Sequence, residues 1–156
     1  MRVVSLASGS GGNAYIVESC ASTLVIDCGI SYSTFLKRAN EVGVNPASVC
    51  GVLFTHEHTD HTRGAVTFNR RNPNVPFFAN IMTAEAMDRS LCGSARFACF
   101  EAGQPFEIGP FSIEAFSIPH DVSDPVGFLI HSCRVAYFHA TDIGTPLDSI
   151  GRYLAK

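Results

Sequence analysis

A strand-like run, Cys50-Gly51-Val52-Leu53-Phe54-Thr55, leads straight into His56-Glu57-His58-Thr59-Asp60-His61. This junction constrains the fold more than any other feature, because an apolar strand has to end where three imidazoles and a carboxylate gather. With six histidines in 156 residues, chance gives the spacing H-x-H-x-D-H with a probability of roughly 4 in 10,000. A polar loop that collected histidines by accident is therefore set aside. Residues 56 and 58 point the same way as the chain leaves a strand, so both imidazoles can grip one ion. Asp60 and His61 follow at the N-terminus of a helix and can face a second ion. Imidazoles with a minority of carboxylate favour zinc, with manganese or iron as the other options. A metalloprotease H-E-x-x-H is rejected, because position 60 is Asp and the context is a loop.

The remainder reads as one domain over residues 1–156, with no repeat, linker or low-complexity tract. Apolar residues at 46% and charged residues at 16% support a buried core and exclude a disordered chain. The net charge of −3 argues against whole-surface attraction to nucleic acid and leaves room for a local basic patch. Apolar stretches such as Val52-Leu53-Phe54 are far too short to cross a bilayer, and no secretory signal opens the chain, so a cytoplasmic location is expected. The six cysteines are widely spaced, mostly within apolar runs and without a C-x-x-C pair, which predicts reduced structural thiols.

Apolar β-rich runs at 3–6, 14–17 and 23–26 predict strands, the first two joined by the turn Ser8-Gly9-Ser10-Gly11-Gly12-Asn13. Ser31 caps a helix carrying Phe35, Leu36, Ala39 and Val42, which Gly43 and Pro46 end. A helix is expected over Thr62–Arg71, a short strand over Pro76–Ala79, and a helix from Ala84 to Leu91 capped by Thr83. Strands follow at 96–100, 105–108, 111–118, 126–131 and 133–138, and Thr145-Pro146 opens a last helix. The sum is an α/β layered fold with a mixed sheet covered by helices.

His120 and Asp142 each end a strand-like run, as His56 does, and either taken alone is usually structural. Together with Val25-Ile26-Asp27-Cys28-Gly29, His56-x-His58-x-Asp60-His61-x-x-Gly64 and Thr141-Asp142, they resemble the metallo-β-lactamase superfamily in order and over nearly the whole chain. The resemblance implies an αββα layered sandwich. It implies that His56, His58 and His120 hold one metal, that Asp60 and His61 help to hold a second, and that Asp142 bridges the two. Asp27 then supports the histidine loop without being a ligand. The segments Leu6–Asn13 and His120–Phe128 are similar to the YycJ/WalJ/VicX-type group, associated with DNA exonuclease activity, and to tRNA 3′-processing nucleases.

Members of the superfamily continue to a further histidine on the second metal. This chain stops at Lys156, so the C-terminal part of the domain is expected to be missing and the second metal to bind weakly. His131 and His139 are read as structural, with His139 the outside candidate for a compensating role. The implied reaction is phosphodiester hydrolysis by a metal-activated water on a nucleic-acid substrate. Asp60 doubles as ligand and proton carrier, and Ser8, Ser10 and Asn13 either seat a phosphate or merely form a hairpin. Two alternatives stay open: a thioester or lactam hydrolase on the same site, and a catalytically dead metal-binding module that engages a partner. Uncovered strands would favour a homo-oligomer.

Overall fold

In the computed structural model, residues 1–91, 93, 95–120, 122 and 124–144 are described. The apolar runs of the first hundred residues pair into a mixed sheet. Its strands β1 (Arg2–Ala7), β2 (Ala14–Ser19), β3 (Ser22–Ile26), β4 (Val49–Leu53), β5 (Phe77–Ala79) and β6 (Phe97–Cys99) lie side by side in chain order. The first three are antiparallel because short turns join them, and the rest run parallel because helical crossovers do. These crossovers carry α1 (Tyr32–Glu41), α2 (Thr59–Thr62), α3 (Ala65–Arg71) and α4 (Ile81–Leu91). A second, antiparallel sheet is built from β7 (Pro105–Ile108), β8 (Phe111–Ser117), β9 (Val126–Ser132) and β10 (Val135–His139), in the order β10-β9-β8-β7.

Alternation along the strands divides the apolar residues between two cores. On one face of the first sheet Ile16, Val25, Val52 and Phe77 pack with Phe35 and Ala39 of α1, Phe68 of α3 and Met87 of α4. On its other face Val17, Leu24, Ile26 and Leu53 meet Phe111, Ile113, Phe128 and Ile130 of the second sheet. Strands such as β3, covered on both sides, read as unbroken apolar runs for this reason. Each of these buried side chains other than Ala39 contributes about 1.5–3 kcal/mol. The described layers are thus helix, sheet, sheet. The outer face of the second sheet carries a small cluster of Phe116 and Leu129 with Phe138 and Ala140. The helix expected from Thr145-Pro146 lies outside the described residues. No described helix is long and apolar enough to cross a membrane.

Ser31 caps α1 as expected, its hydroxyl accepting from the Thr34 amide at 3.2 Å. Three expectations are corrected. The helix expected over Thr62–Arg71 is two pieces, broken at Gly64, whose amide is diverted to the Cys28 carbonyl at 2.7 Å. The cap of α4 is Asn80, whose Oδ1 accepts from the Thr83 amide at 2.8 Å, while Thr83 is itself buried. Of the cysteines, Cys28 is buried and Cys50 half-buried, but Cys20, Cys99 and Cys133 are exposed. The first and last of these occupy tight turns, which apolar flanks do not reveal.

Candidate metal centre

Beyond β4, Phe54 and Thr55 carry the extended chain into the histidine segment. The Val126 amide bonds the Thr55 carbonyl at 3.0 Å, tying the start of β9 to this point. The segment is then pinned by backbone bonds: Asn13 N–H to the Asp60 carbonyl, Cys28 N–H to His61 and Gly64 N–H to Cys28, each at 2.7 Å. Such close approach needs glycine. A Cβ on Gly29 would fall 1.6 Å from the Asp60 carbonyl oxygen, and one on Gly64 would fall 2.1 Å from that of Ile30.

β3 and β4 are parallel neighbours with Ile26 beside Leu53, so Asp27 and Thr55 emerge at the same end. Asp27 is fully buried and adopts φ 61°. Its Oδ1 accepts the Thr55 amide at 2.9 Å, and its Oδ2 accepts the Thr55 hydroxyl at 2.9 Å and His61 Nδ1 at 2.7 Å. With its one proton given to Asp27, the Thr55 hydroxyl accepts from His56 Nδ1 at 3.0 Å. Both imidazoles therefore carry a proton on Nδ1, which leaves Nε2 as the atom each can offer to an ion. Nε2 of His56 is buried without a hydrogen-bond partner. A buried acceptor left in this way fits a cation.

The ligand atoms of His56, His58 and His120 lie within 4.8 Å of one another, and so do those of His56, His61 and Asp142. Either group could hold a metal ion. Ring centroids are 4.8 Å apart for His56–His58 and 5.2 Å for each of their pairs with His120. In the second group His61 Nε2 is 3.0 Å from Asp142 Oδ2. Asp142 has φ 55°, and the Gly144 amide bonds the Pro119 carbonyl at 3.0 Å, joining this loop to the one that carries His120. Burial, then the neighbouring His61 charge, pushes the His56 pKa down to about 4. Burial also works against charge on His61, but the Asp27 hydrogen bond and the charges of Asp27, Asp142 and Asp60 outweigh it and raise the pKa. Positive charge is thus favoured at His61 and refused at His56.

Asp60, expected with the second group, stands outside both groups of ligand atoms. Its Oδ2 is 3.7 Å from His61 Nε2 and accepts from Asn13 Nδ2 at 3.3 Å, and that same amide nitrogen is 2.9 Å from His61 Nε2. His139 is buried at the end of β10, its Nδ1 3.0 Å from the Tyr137 hydroxyl and its ring edge-on to Tyr15, outside both groups. His131 lies within β9 opposite Ser112 and Ala136. Sequence reasoning missed Thr55, whose hydroxyl links Asp27 to His56; the available signal was a threonine next to the first histidine at a strand end. The glycine-rich turn is both a hairpin and a wall. Ser8, Ser10, Asn13 and Tyr15 face Asp60 and Asp142 across a cavity of about 440 Å³.

The family model described as "Beta-lactamase superfamily domain" matches residues 22–156. The chain is 30% identical over 147 residues to exodeoxyribonuclease WalJ of Streptococcus pneumoniae, covering 92% of this chain and 54% of that protein. It is 30% identical over 146 residues to exodeoxyribonuclease YycJ of Bacillus anthracis, again covering 92% and 54%. It thus spans about half the length of these curated relatives. The solved metallo-beta-lactamase fold protein YhfI from Bacillus subtilis superposes with a TM-score of 0.74 at 18% identity, over 97% of this chain and 65% of that one. The fold is the metallo-β-lactamase fold. With the family match running from β3 through every strand-end residue of the centre, the chain belongs to the beta-lactamase superfamily domain family.

Proposed function

We propose that this chain is the metal-binding core of a phosphodiesterase that acts on DNA as an exonuclease. The observation that carries the reading is the pair of ligand groups sharing His56 beside the cavity walled by Ser8, Ser10 and Asn13. His56, His58 and His120 would hold one ion, and His61 and Asp142, with Asp60 close by, a second. Zinc suits this donor set, with manganese or iron as substitutes. When bound, such ions would ease deprotonation of a water near neutral pH and offset charge on phosphate oxygens. The protein's own residues do the rest. Asp27 and Thr55 orient His61 and His56, and Asp60 takes a proton at the cavity wall. The hydroxyls of Ser8 and Ser10 orient the phosphate, while the amide of Asn13 holds Asp60 beside His61.

The names of the two exodeoxyribonuclease relatives support DNA as the substrate, and the cytoplasm is the compartment that this implies. Association through the outer strands β1, β6, β7 and β10 is the assembly we propose, and light scattering over a dilution series tests it. The function is tested with end-labelled DNA and added Zn²⁺ or Mn²⁺. Stepwise release of nucleotides that a chelator abolishes is expected. Hydrolysis of a chromogenic lactam or a thioester, without nucleotide release, would overturn the reading.

A further inference from the structure

Two hairpin turns from different sheets meet at the end of the sandwich opposite the metal centre. Cys20-Ala21 joins β2 to β3, and Cys133-Arg134 joins β9 to β10. All four residues have positive φ, at 49°, 61°, 51° and 65°. Two-residue loops of this kind are type I′ turns, whose twist matches that of the strands and fixes where each first side chain projects. About 16 Å of β3 separates Cys20 from Asp27. β9 likewise runs from Val126, bonded to Thr55, out to Ser132.

Although 113 residues apart, the Cys20 and Cys133 sulfurs approach to 2.9 Å, and both side chains are exposed. Polar groups support them from below. The buried Ser132 hydroxyl lies 2.9 Å from the buried Ser19 hydroxyl and 3.0 Å from the Pro110 carbonyl. Ser19 Oγ is 3.7 Å from Cys20 Sγ and 3.8 Å from Cys133 Sγ. The two turns and the serines beneath them thus present a pair of thiols to solvent, already in contact across the seam between the sheets.

We propose that Cys20 and Cys133 form a redox-active dithiol that closes into a reversible intramolecular disulfide, with low-molecular-weight disulfides such as glutathione disulfide as its oxidant. The Cys133 thiolate attacks one sulfur of glutathione disulfide, forming a mixed disulfide and releasing one glutathione thiolate. The Cys20 thiolate then attacks the Cys133 sulfur, closing the protein disulfide and expelling the second glutathione. Two electrons pass from the protein thiols to the oxidant, and the two thiol protons end on the two glutathiones. Hydrogen bonds from Cys20, Ser19 and Ser132 draw the Cys133 thiol below its usual range, which favours it as the attacking group. Cys28 and Cys50 are pushed the other way by burial, so they stay as unreactive thiols. Closure staples the first sheet to the second at the end remote from the metal.

The test is to equilibrate the zinc-loaded chain across a series of oxidised-to-reduced glutathione ratios, alkylate the remaining thiols and map the peptides by mass. One bridged pair joining the Cys20 and Cys133 peptides is expected, with Cys28 and Cys50 alkylated after unfolding. A reductant should restore both thiols, and the bridged form should unfold about 5–15 °C higher. In Cys20→Ser, Cys133 should stop at the mixed disulfide with glutathione. Independent alkylation or glutathionylation of Cys20 and Cys133 with no bridged peptide would overturn the proposal. So would bridges to Cys99 in comparable yield.

Discussion

At one end of the sandwich Cys20, Ala21, Cys133 and Arg134 sit at positive φ because two-residue hairpins require it. At the other, Asp27 and Asp142 sit at positive φ with no two-residue hairpin to demand it. There the conformation is held by what the side chains do: Asp27 is locked by Thr55 and His61, and Asp142 reaches His61. The same backbone state is a local solution in one region and a tertiary one in the other. Strain held by surrounding contacts is the kind that gathers at functional sites. The two ends should therefore respond very differently to substitution.

The largest effect is expected at the metal end. His58→Ala removes one of three imidazoles from its group and should weaken metal binding on the order of a hundredfold or more. Calorimetric titration of the unaltered chain should show one tight and one loose site, since His61 and Asp142 alone distinguish the second group from the first. Full metal occupancy in His58→Ala, measured by elemental analysis, would break the assignment.

Asp27→Ala comes next. It strands the buried Thr55 amide, the Thr55 hydroxyl and His61 Nδ1 together, and should cost on the order of 3–5 kcal/mol in chemical denaturation. A loss below about 1 kcal/mol would mean that Asp27 does not hold the left-handed turn.

The pH dependence sharpens the contrast in the metal-free protein. His56 titrates near 4 in the fold against 6.5 ordinarily, so as pH falls from 6.5 toward 4 the unfolded chain takes a proton that the folded one refuses. Stability should fall through that window, by on the order of 2–3 kcal/mol, and His56→Gln should flatten the slope. The raised pKa of His61 acts in a separate window. Its stabilisation is complete below 6.5 and fades as pH rises above that. An unchanged slope in His56→Gln would assign the titration to another group.

At the hairpin end the effect should be smallest and opposite in sign. Ala21→Gly relieves a side chain at φ 61°, and should stabilise the protein by no more than about 1 kcal/mol, a rise of about 2–4 °C in Tm. A loss of several kcal/mol there would erase the distinction between the two ends.

The strands and the main helices were legible because burial on one or both faces writes period-two or continuous apolar runs into the sequence, as in Thr23-Leu24-Val25-Ile26. The Ser31 cap was legible because its bond lies within four residues. Interactions between segments distant in sequence were not. The break at Gly64 is made by the Cys28 carbonyl, and the bond between Asp27 and His61 joins residues 34 apart in sequence. His56 and His58 could be paired on one ion, and Asp60 with His61 on a second, from spacing alone, because a strand end and a helical turn fix where neighbouring side chains point. His120 and Asp142 needed the family resemblance to bring them to the same point, since nothing local ties them to residue 56. What the sequence by itself determined is the set of strands and the chemistry of the donors. What only the tertiary structure decided is that Thr55 and Asp27 hold His56 and His61 through Nδ1, that Asp60 bonds Asn13 at the edge of the second group, and that Cys20 meets Cys133. Those outcomes are set by the register and twist with which two sheets close on each other, and register and twist are properties of the assembled core.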